Sequence, residues 1–196
     1  IHWHGQRLVS LFCYEPAGLP ALLQALATDA VPALLLVTAG RASAAVRQAI
    51  NDKNSLQPLW NKGEKLSTSY LPTLSQEDFD HLLWTCDLNF VRGEDSLVRA
   101  LWAGHPLIWQ IYPQHDDAHH AKLQAFLDWL QAPPALRQAH AVWNGLPTDA
   151  NPDTTQPLIS EPMRQSWQAS FTQARQTLLQ QTDLATQLLD FVAKTN

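Results

Sequence analysis

The sequence predicts an α/β domain with a doubly wound parallel sheet, followed by a C-terminal helical extension. Three observations lead there. Short runs of strand formers alternate with segments of helical periodicity from Arg7 to Leu130. The run Ala33-Leu34-Leu35-Leu36-Val37 is apolar at every position, as a strand covered on both faces must be. The composition, 45% hydrophobic and 16% charged over 196 residues, supports a packed core and excludes a disordered chain.

The elements follow in order. Arg7 to Tyr14 reads as the first strand, stopped by the turn cluster Glu15-Pro16-Ala17-Gly18. Leu19 to Ala27 reads as a helix, with Leu19, Leu22, Leu23 and Leu26 on one stripe. Ala33 to Val37 is the second strand, and a helix from Ser43 to Ile50 follows it. The polar segment Asn51 to Gly63 reads as irregular, and Leu66 to Leu71 as the third strand. The next helix starts at Ser75, a capping hydroxyl, with Glu77 and Asp78 at the positive end of the dipole and Leu74 placed to staple against Phe79. Leu88 to Val91 is the fourth strand. A helix from Ser96 to Ala103 ends at Gly104, a left-handed cap, with Pro106 beyond. Leu107 to Gln110 is the fifth strand, and a helix with Leu123, Phe126, Leu127 and Leu130 on one stripe comes after it. Ala132 to Pro162 is rich in proline and reads as a connection. It leads to a helical stretch with Trp167, Phe171, Ala174 and Leu178 on one face, then to a second stripe through Leu184, Leu188, Leu189 and Val192. The expected organisation is a Rossmann-like domain over residues 1–160 and a helical extension over 161–196.

Several function classes are excluded at once. A formal net charge of −5 argues against nucleic acid as a partner, which would call for a clustered basic face. No segment approaches the roughly 20 apolar residues of a membrane-spanning helix, so no membrane partner is expected. Cys13 and Cys86 lie in apolar settings, read as buried free thiols, and suit a reducing, cytoplasmic compartment. The chain begins at Ile1 with no signal pattern, and is expected to be part of a longer protein.

In a parallel sheet, ligands bind at the carboxyl ends of the strands. The most informative loop there is Phe90-Val91-Arg92-Gly93-Glu94-Asp95-Ser96-Leu97-Val98-Arg99. Gly93 permits an unusual backbone turn, and the N–H groups of a helix start attract an anion. Arg92 adds a forked cation suited to phosphate. Glu94 and Asp95 would repel phosphate if they faced it, so at least one should point elsewhere; a ribose diol is a fitting target for a carboxylate. A plain helix N-terminus accounts for Asp95 and Ser96 as well, but not for Arg92-Gly93.

Longer motifs sharpen this reading. The run Cys86-Asp87-Leu88-Asn89-Phe90-Val91-Arg92-Gly93-Glu94-Asp95-Ser96 resembles the signature of the EarP family, the protein-arginine rhamnosyltransferases of elongation factor P. So do Trp102-Ala103-Gly104-His105-Pro106, Trp109-Gln110-Ile111-Tyr112-Pro113-Gln114 and the opening Phe12-Cys13-Tyr14-Glu15-Pro16. The likeness spans the whole chain but only the C-terminal half of that family's protein. It implies a GT-B glycosyltransferase that transfers L-rhamnose from dTDP-β-L-rhamnose to an arginine of elongation factor P, inverting and metal-independent. The donor is then a co-substrate, with no cofactor. The resemblance places Tyr14, Gln76 and Phe79 around the thymine, and Glu94 at the ribose and sugar side. It places Arg92, Asp95 and Ser96 on the diphosphate together with Gly93, with Tyr112 reaching it from the next loop. Glu94 is also the candidate for catalytic assistance. The general base and most of the surface for elongation factor P are implied to lie in an N-terminal domain, so the chain alone should bind donor without catalysing. Another nucleotide-sugar-dependent glycosyltransferase and a nonenzymatic nucleotide-binding module are the alternatives.

The cluster His115-Asp116-Asp117-Ala118-His119-His120 has the residue types of a metal site. His115 and His119 would share a metal only from one helix, and the acidic pair suggests that the helix starts near Asp117 or Ala118, leaving His115 in the loop. No metal is therefore expected, and histidines lining the sugar or phosphate pocket are the other reading.

Overall fold

The computed structural model describes residues 3–114, 118–147 and 161–195. Its centre is a five-stranded, all-parallel sheet of β1 (Arg7–Leu11), β2 (Ala33–Val37), β3 (Leu66–Tyr70), β4 (Leu88–Arg92) and β5 (Leu107–Gln110). The strand order is β3-β2-β1-β4-β5. The chain therefore builds outward from β1 to one edge, returns, and builds outward to the other edge from β4. The β1–β4 pairing, with Val9 opposite Leu88 and Leu11 opposite Phe90, is the switch point of the topology.

The apolar strands are covered on both faces, as their sequence requires. Alternate residues of β2 enter different clusters: Ala33, Leu35 and Val37 join the main core, while Leu34 and Leu36 pack with Cys86 on the other face. Both cysteines are fully buried and free, and burial pushes the Cys13 and Cys86 thiols up to about 12, which leaves them unreactive.

Five helices lie along the strands: α1 (Leu19–Thr28), α2 (Arg41–Leu56), α3 (Gln76–Thr85), α4 (Gly93–Ala103) and α5 (Ala118–Trp129). Ser75 caps α3 as its sequence suggested, Oγ accepting the Asp78 N–H at 3.1 Å. Gly104 closes α4 in the left-handed region at φ 76°, its N–H donating to the carbonyls of Ala100 and Leu101.

Four expectations are corrected. β1 stops at Leu11 rather than Tyr14: Phe12 N–H still reaches the Phe90 carbonyl, but Tyr14 N–H turns to the Gln110 side chain at 2.8 Å, out of the ladder. α2 starts at Arg41 and runs on to Leu56, through residues that read as irregular. Its buried stripe needs only Ala42 and Val46, so a polar continuation with a Gln48–Asp52 side-chain bond stays helical in water. α4 opens at Gly93, three residues before Ser96. The prolines after Ala132 do not mark a bare connection either, because α6 (Pro134–Asn144) starts on them. Pro134 stands at the first helical turn, where its missing N–H costs nothing.

The face of α6 that carries Leu136, Ala139, His140 and Trp143 is buried and packs beside β5. His140 is fully buried there. Its Nε2 accepts the Trp109 N–H at 3.1 Å, its Nδ1 lies 3.0 Å from the Leu136 carbonyl, and desolvation lowers its pKa to about 4, so the ring is neutral. Two helices follow, α7 (Glu161–Leu179) and α8 (Leu184–Thr195). α7 buries Trp167, Phe171 and Ala174 in the main core against α4 and α6, and Arg175 and Gln168 bond the carbonyls of Trp102 and Gly104. The apolar residues Leu184, Leu188, Leu189, Phe191 and Val192 of α8 are exposed.

Candidate functional site

A cleft of ≈ 650 Å³ opens at the carboxyl ends of the strands, across the β1–β4 switch point. That volume is in the range of small-molecule sites. Each wall comes from a different stretch of sequence. Phe12 and Tyr14 follow β1, and Thr38, Ala39 and Gly40 follow β2. The segment from Pro72 to Gln76 leads from β3 into α3, and Arg92 to Ser96 cross from β4 into α4.

Arg92 is a cation of the cleft with no carboxylate partner among the described contacts. It is the last residue of β4, and its backbone directs the guanidinium over two rings, 4.3 Å from the Phe12 centroid and 4.4 Å from that of Tyr14. Its Nη1 also lies 3.4 Å from the Cys13 carbonyl. Those contacts fix the plane of the fork while leaving it on the cleft wall. Gly93 then turns the chain at φ 64°, a left-handed conformation that other residues adopt at a cost, and so brings α4 to bear on the cleft. The first-turn N–H groups of α4 have no carbonyl four residues back, and with the helix dipole behind them they form a positive end.

Ser96 is placed differently from a phosphate ligand that offers its hydroxyl. Its side chain is buried and turns back on Arg92, Oγ accepting the Arg92 N–H at 3.1 Å and donating to the Arg92 carbonyl. Ser96 thereby locks the strand-to-helix junction. The Asp95 carboxylate pairs with Arg99 Nε at 2.9 Å, while Glu94 remains exposed on the wall. Both acidic residues line the cleft, and Asp95 is the one paired with a cation there.

The lining also carries aromatic and amide side chains. Phe79 meets Phe12 edge to face at 5.3 Å, and Gln76 stands in the first turn of α3 beside it. Tyr112 is exposed and touches Tyr14 edge to face at 5.8 Å, at the mouth rather than along the lining. Arg41 also approaches the Tyr14 ring, at 4.9 Å, and pairs with Glu15, which lowers the Glu15 carboxyl below its usual range through the hydrogen bond from Arg41. All nine residues put forward from the sequence are therefore at one end of the sheet.

The sequence reading gave no site role to Arg99, to Arg41 or to the Thr38–Gly40 turn. Arg99 could have been found from its i, i+4 spacing to Asp95, and the turn from its position after a buried strand. Among the described residues, no three of His, Cys, Asp and Glu gather as a metal site would. His115 lies outside the described residues, and His119 Nδ1 accepts the Gln114 N–H at 3.1 Å, so that ring helps shape the loop. Among the described residues no helix is long and apolar enough to cross a membrane.

The chain is similar to known proteins in sequence and in fold. A family model described as Elongation-Factor P (EF-P) rhamnosyltransferase EarP matches residues 1–193. The protein-arginine rhamnosyltransferase of Pseudomonas aeruginosa is 48% identical over 124 residues, 63% of this chain and 33% of that protein. The enzyme of the same name from Shewanella oneidensis is 43% identical over 123 residues, 60% of this chain and 31% of that protein. A solved structure described as the structural basis for EarP-mediated arginine glycosylation of translation elongation factor EF-P superimposes with a TM-score of 0.74 at 35% identity, covering 100% of this chain and 63% of that one. The aligned part of this chain spans about a third of the length of the curated relatives.

Proposed function

Since the chain belongs to the EarP family of elongation factor P rhamnosyltransferases, we propose that it is the donor-binding domain of a protein-arginine rhamnosyltransferase. In this reading the cleft takes dTDP-β-L-rhamnose, and the sugar passes to an arginine of elongation factor P with inversion at the anomeric carbon. The protein works in the cytoplasm, without a metal or other cofactor. The observation that carries the proposal is the build of the switch-point cleft: Arg92, held on two aromatic rings at a helix start, faces a wall made of Phe79 and Gln76.

The chemistry follows from those groups. Thymine is a flat ring with amide-like edges, suited to the faces of Tyr14 and Phe79 and to the Gln76 side-chain amide. The diphosphate takes the Arg92 fork and the first-turn N–H groups of α4, at Gly93, Glu94 and Asp95. As the bond from the anomeric carbon to the diphosphate oxygen breaks, charge grows on that oxygen, and the same donors stabilise it more than they stabilise the intact donor. Tyr112 closes over this end from the mouth. Glu94 on the exposed wall accepts hydroxyl hydrogens of the ribose or sugar, or assists the acceptor. An arginine acceptor is protonated and a poor nucleophile, so carboxylates must orient or deprotonate it. The general base belongs to the part of the family's protein outside this chain.

The test is calorimetric titration of the full-length protein with dTDP-β-L-rhamnose, followed by mass spectrometry of elongation factor P. Saturable binding without added metal and a mass gain of one deoxyhexose on an arginine are expected. Binding without transfer would make this a nonenzymatic module, and preference for another nucleotide sugar would make it a different glycosyltransferase.

A further inference from the structure

Glu94 and Asp95 both stand in the first turn of α4, where the donor reading puts a diphosphate. A carboxylate beside that anion opposes its binding, so the turn needs a counter-charge that does not block it. Arg99 is one helical turn further on and lines the same cleft. Its Nε donates to Asp95 Oδ2 at 2.9 Å, and its Nη1 donates to both carboxylate oxygens of Asp80 on α3, at 2.9 and 3.0 Å. The Arg99 and Asp80 side chains are only 24% and 30% exposed, so water screens their pair in part, whereas Asp95 is 77% exposed.

The clamp has two physical effects. It holds the Asp95 carboxylate against Arg99 and offsets part of its charge, leaving the Asp95 main-chain N–H in the first turn. It also ties α4 to α3, two helices that pack together and whose starts both line the cleft. Without Arg99, Arg92 alone would stand against both acidic residues. Arg99 has a fork wide enough for two carboxylates, which an ammonium group cannot reproduce.

We propose that Arg99 is a positioning residue for the donor's diphosphate: it pairs with the Asp95 carboxylate and offsets its charge, so that the start of α4 meets the anion with N–H groups. This rests on the donor-site reading above. It requires that Arg99 matter to the charged part of the ligand and not to the base.

The experiment compares dTDP with thymidine, by calorimetry, on the full-length protein and on Arg99→Gln, Asp95→Asn and the double variant, with thermal melting of each. For Arg99→Gln, dTDP binding is expected to weaken about tenfold while thymidine binding is unchanged. With Asp95 already neutral, removing Arg99 should cost little more, so Asp95→Asn and the double variant should bind dTDP within about twofold of each other. That second comparison stands even if Arg99→Gln alone melts too low to titrate. Equal losses of dTDP and thymidine in Arg99→Gln would reduce the clamp to scaffolding and overturn the proposal. So would a double variant much weaker than Asp95→Asn. Failure of the unsubstituted protein to bind dTDP would overturn the donor reading itself, and the proposal with it.

Discussion

Arg92 draws its role from where its neighbours put it. Two aromatic faces and a carbonyl set the plane of its guanidinium, so its fork is organised before any ligand arrives. Truncation in Arg92→Ala is expected to weaken dTDP binding by ten- to roughly a hundredfold, as loss of a charge-assisted contact should, with the melting temperature little changed. Titration of the folded variant checks this. His140 makes the opposite case, a polar ring whose work is structural. Burial holds its pKa at about 4, below the 6.5 of an exposed histidine, so the unfolded chain takes up a proton in a pH range where the folded protein does not. Stability is therefore full above pH 6.5 and falls as the pH drops toward 4, by about 3 kcal/mol from this group. Urea denaturation at pH 7 and pH 5 should show the loss, and His140→Gln should flatten it. Arg92, Gly93 and the acidic pair were legible in the sequence because one short loop carries them all. The Arg99–Asp95 pair was legible from its i, i+4 spacing, but the bond from Arg99 to Asp80 was not, because Asp80 comes from another helix and no local pattern joins the two.

The elements show where local signals suffice. The start of α3 could be read directly, since Ser75 and the acidic residues after it satisfy the exposed N–H groups within the same turn. Ser75→Ala is expected to cost about 1 kcal/mol in chemical denaturation and to loosen the wall that holds Gln76 and Phe79. The ends of α4 were legible unequally. Gly104 marks its C-terminus as expected, but its N-terminus begins at Gly93, because a left-handed residue and the Ser96 hydroxyl start the helix where no ordinary cap stands. α6 was hidden by its own opening. Prolines read as breakers in an interior are tolerated at a first turn, and the buried stripe of Leu136, Ala139, His140 and Trp143 was the signal that outweighed them.

At the scale of the whole molecule, periodicity revealed the parallel sheet, but the order of its strands follows from pairings between distant segments. The cleft depends on that order, because the two sides of the switch point are far apart in sequence and adjacent in space. α7 completes the same core from the far end of the chain. Trp167→Ala is expected to destabilise the protein by 3 kcal/mol or more, since a fully buried indole between α7 and the sheet's helices leaves a cavity that cannot collapse. A lower denaturation midpoint with an unchanged slope would be the signature. The strand order also sets a timetable for biosynthesis. β1 is central in the finished sheet, yet while the chain is being made it stays a border strand until Leu88–Arg92 has emerged. During that interval the side of Val9, Ser10 and Leu11 that will receive β4 has nothing to pair with, and open strand borders are where nascent chains adhere to one another. Arrival of β4 brings Asn89 to the buried Ser10 hydroxyl and closes the border, so this exposure falls during synthesis, before the switch-point cleft exists.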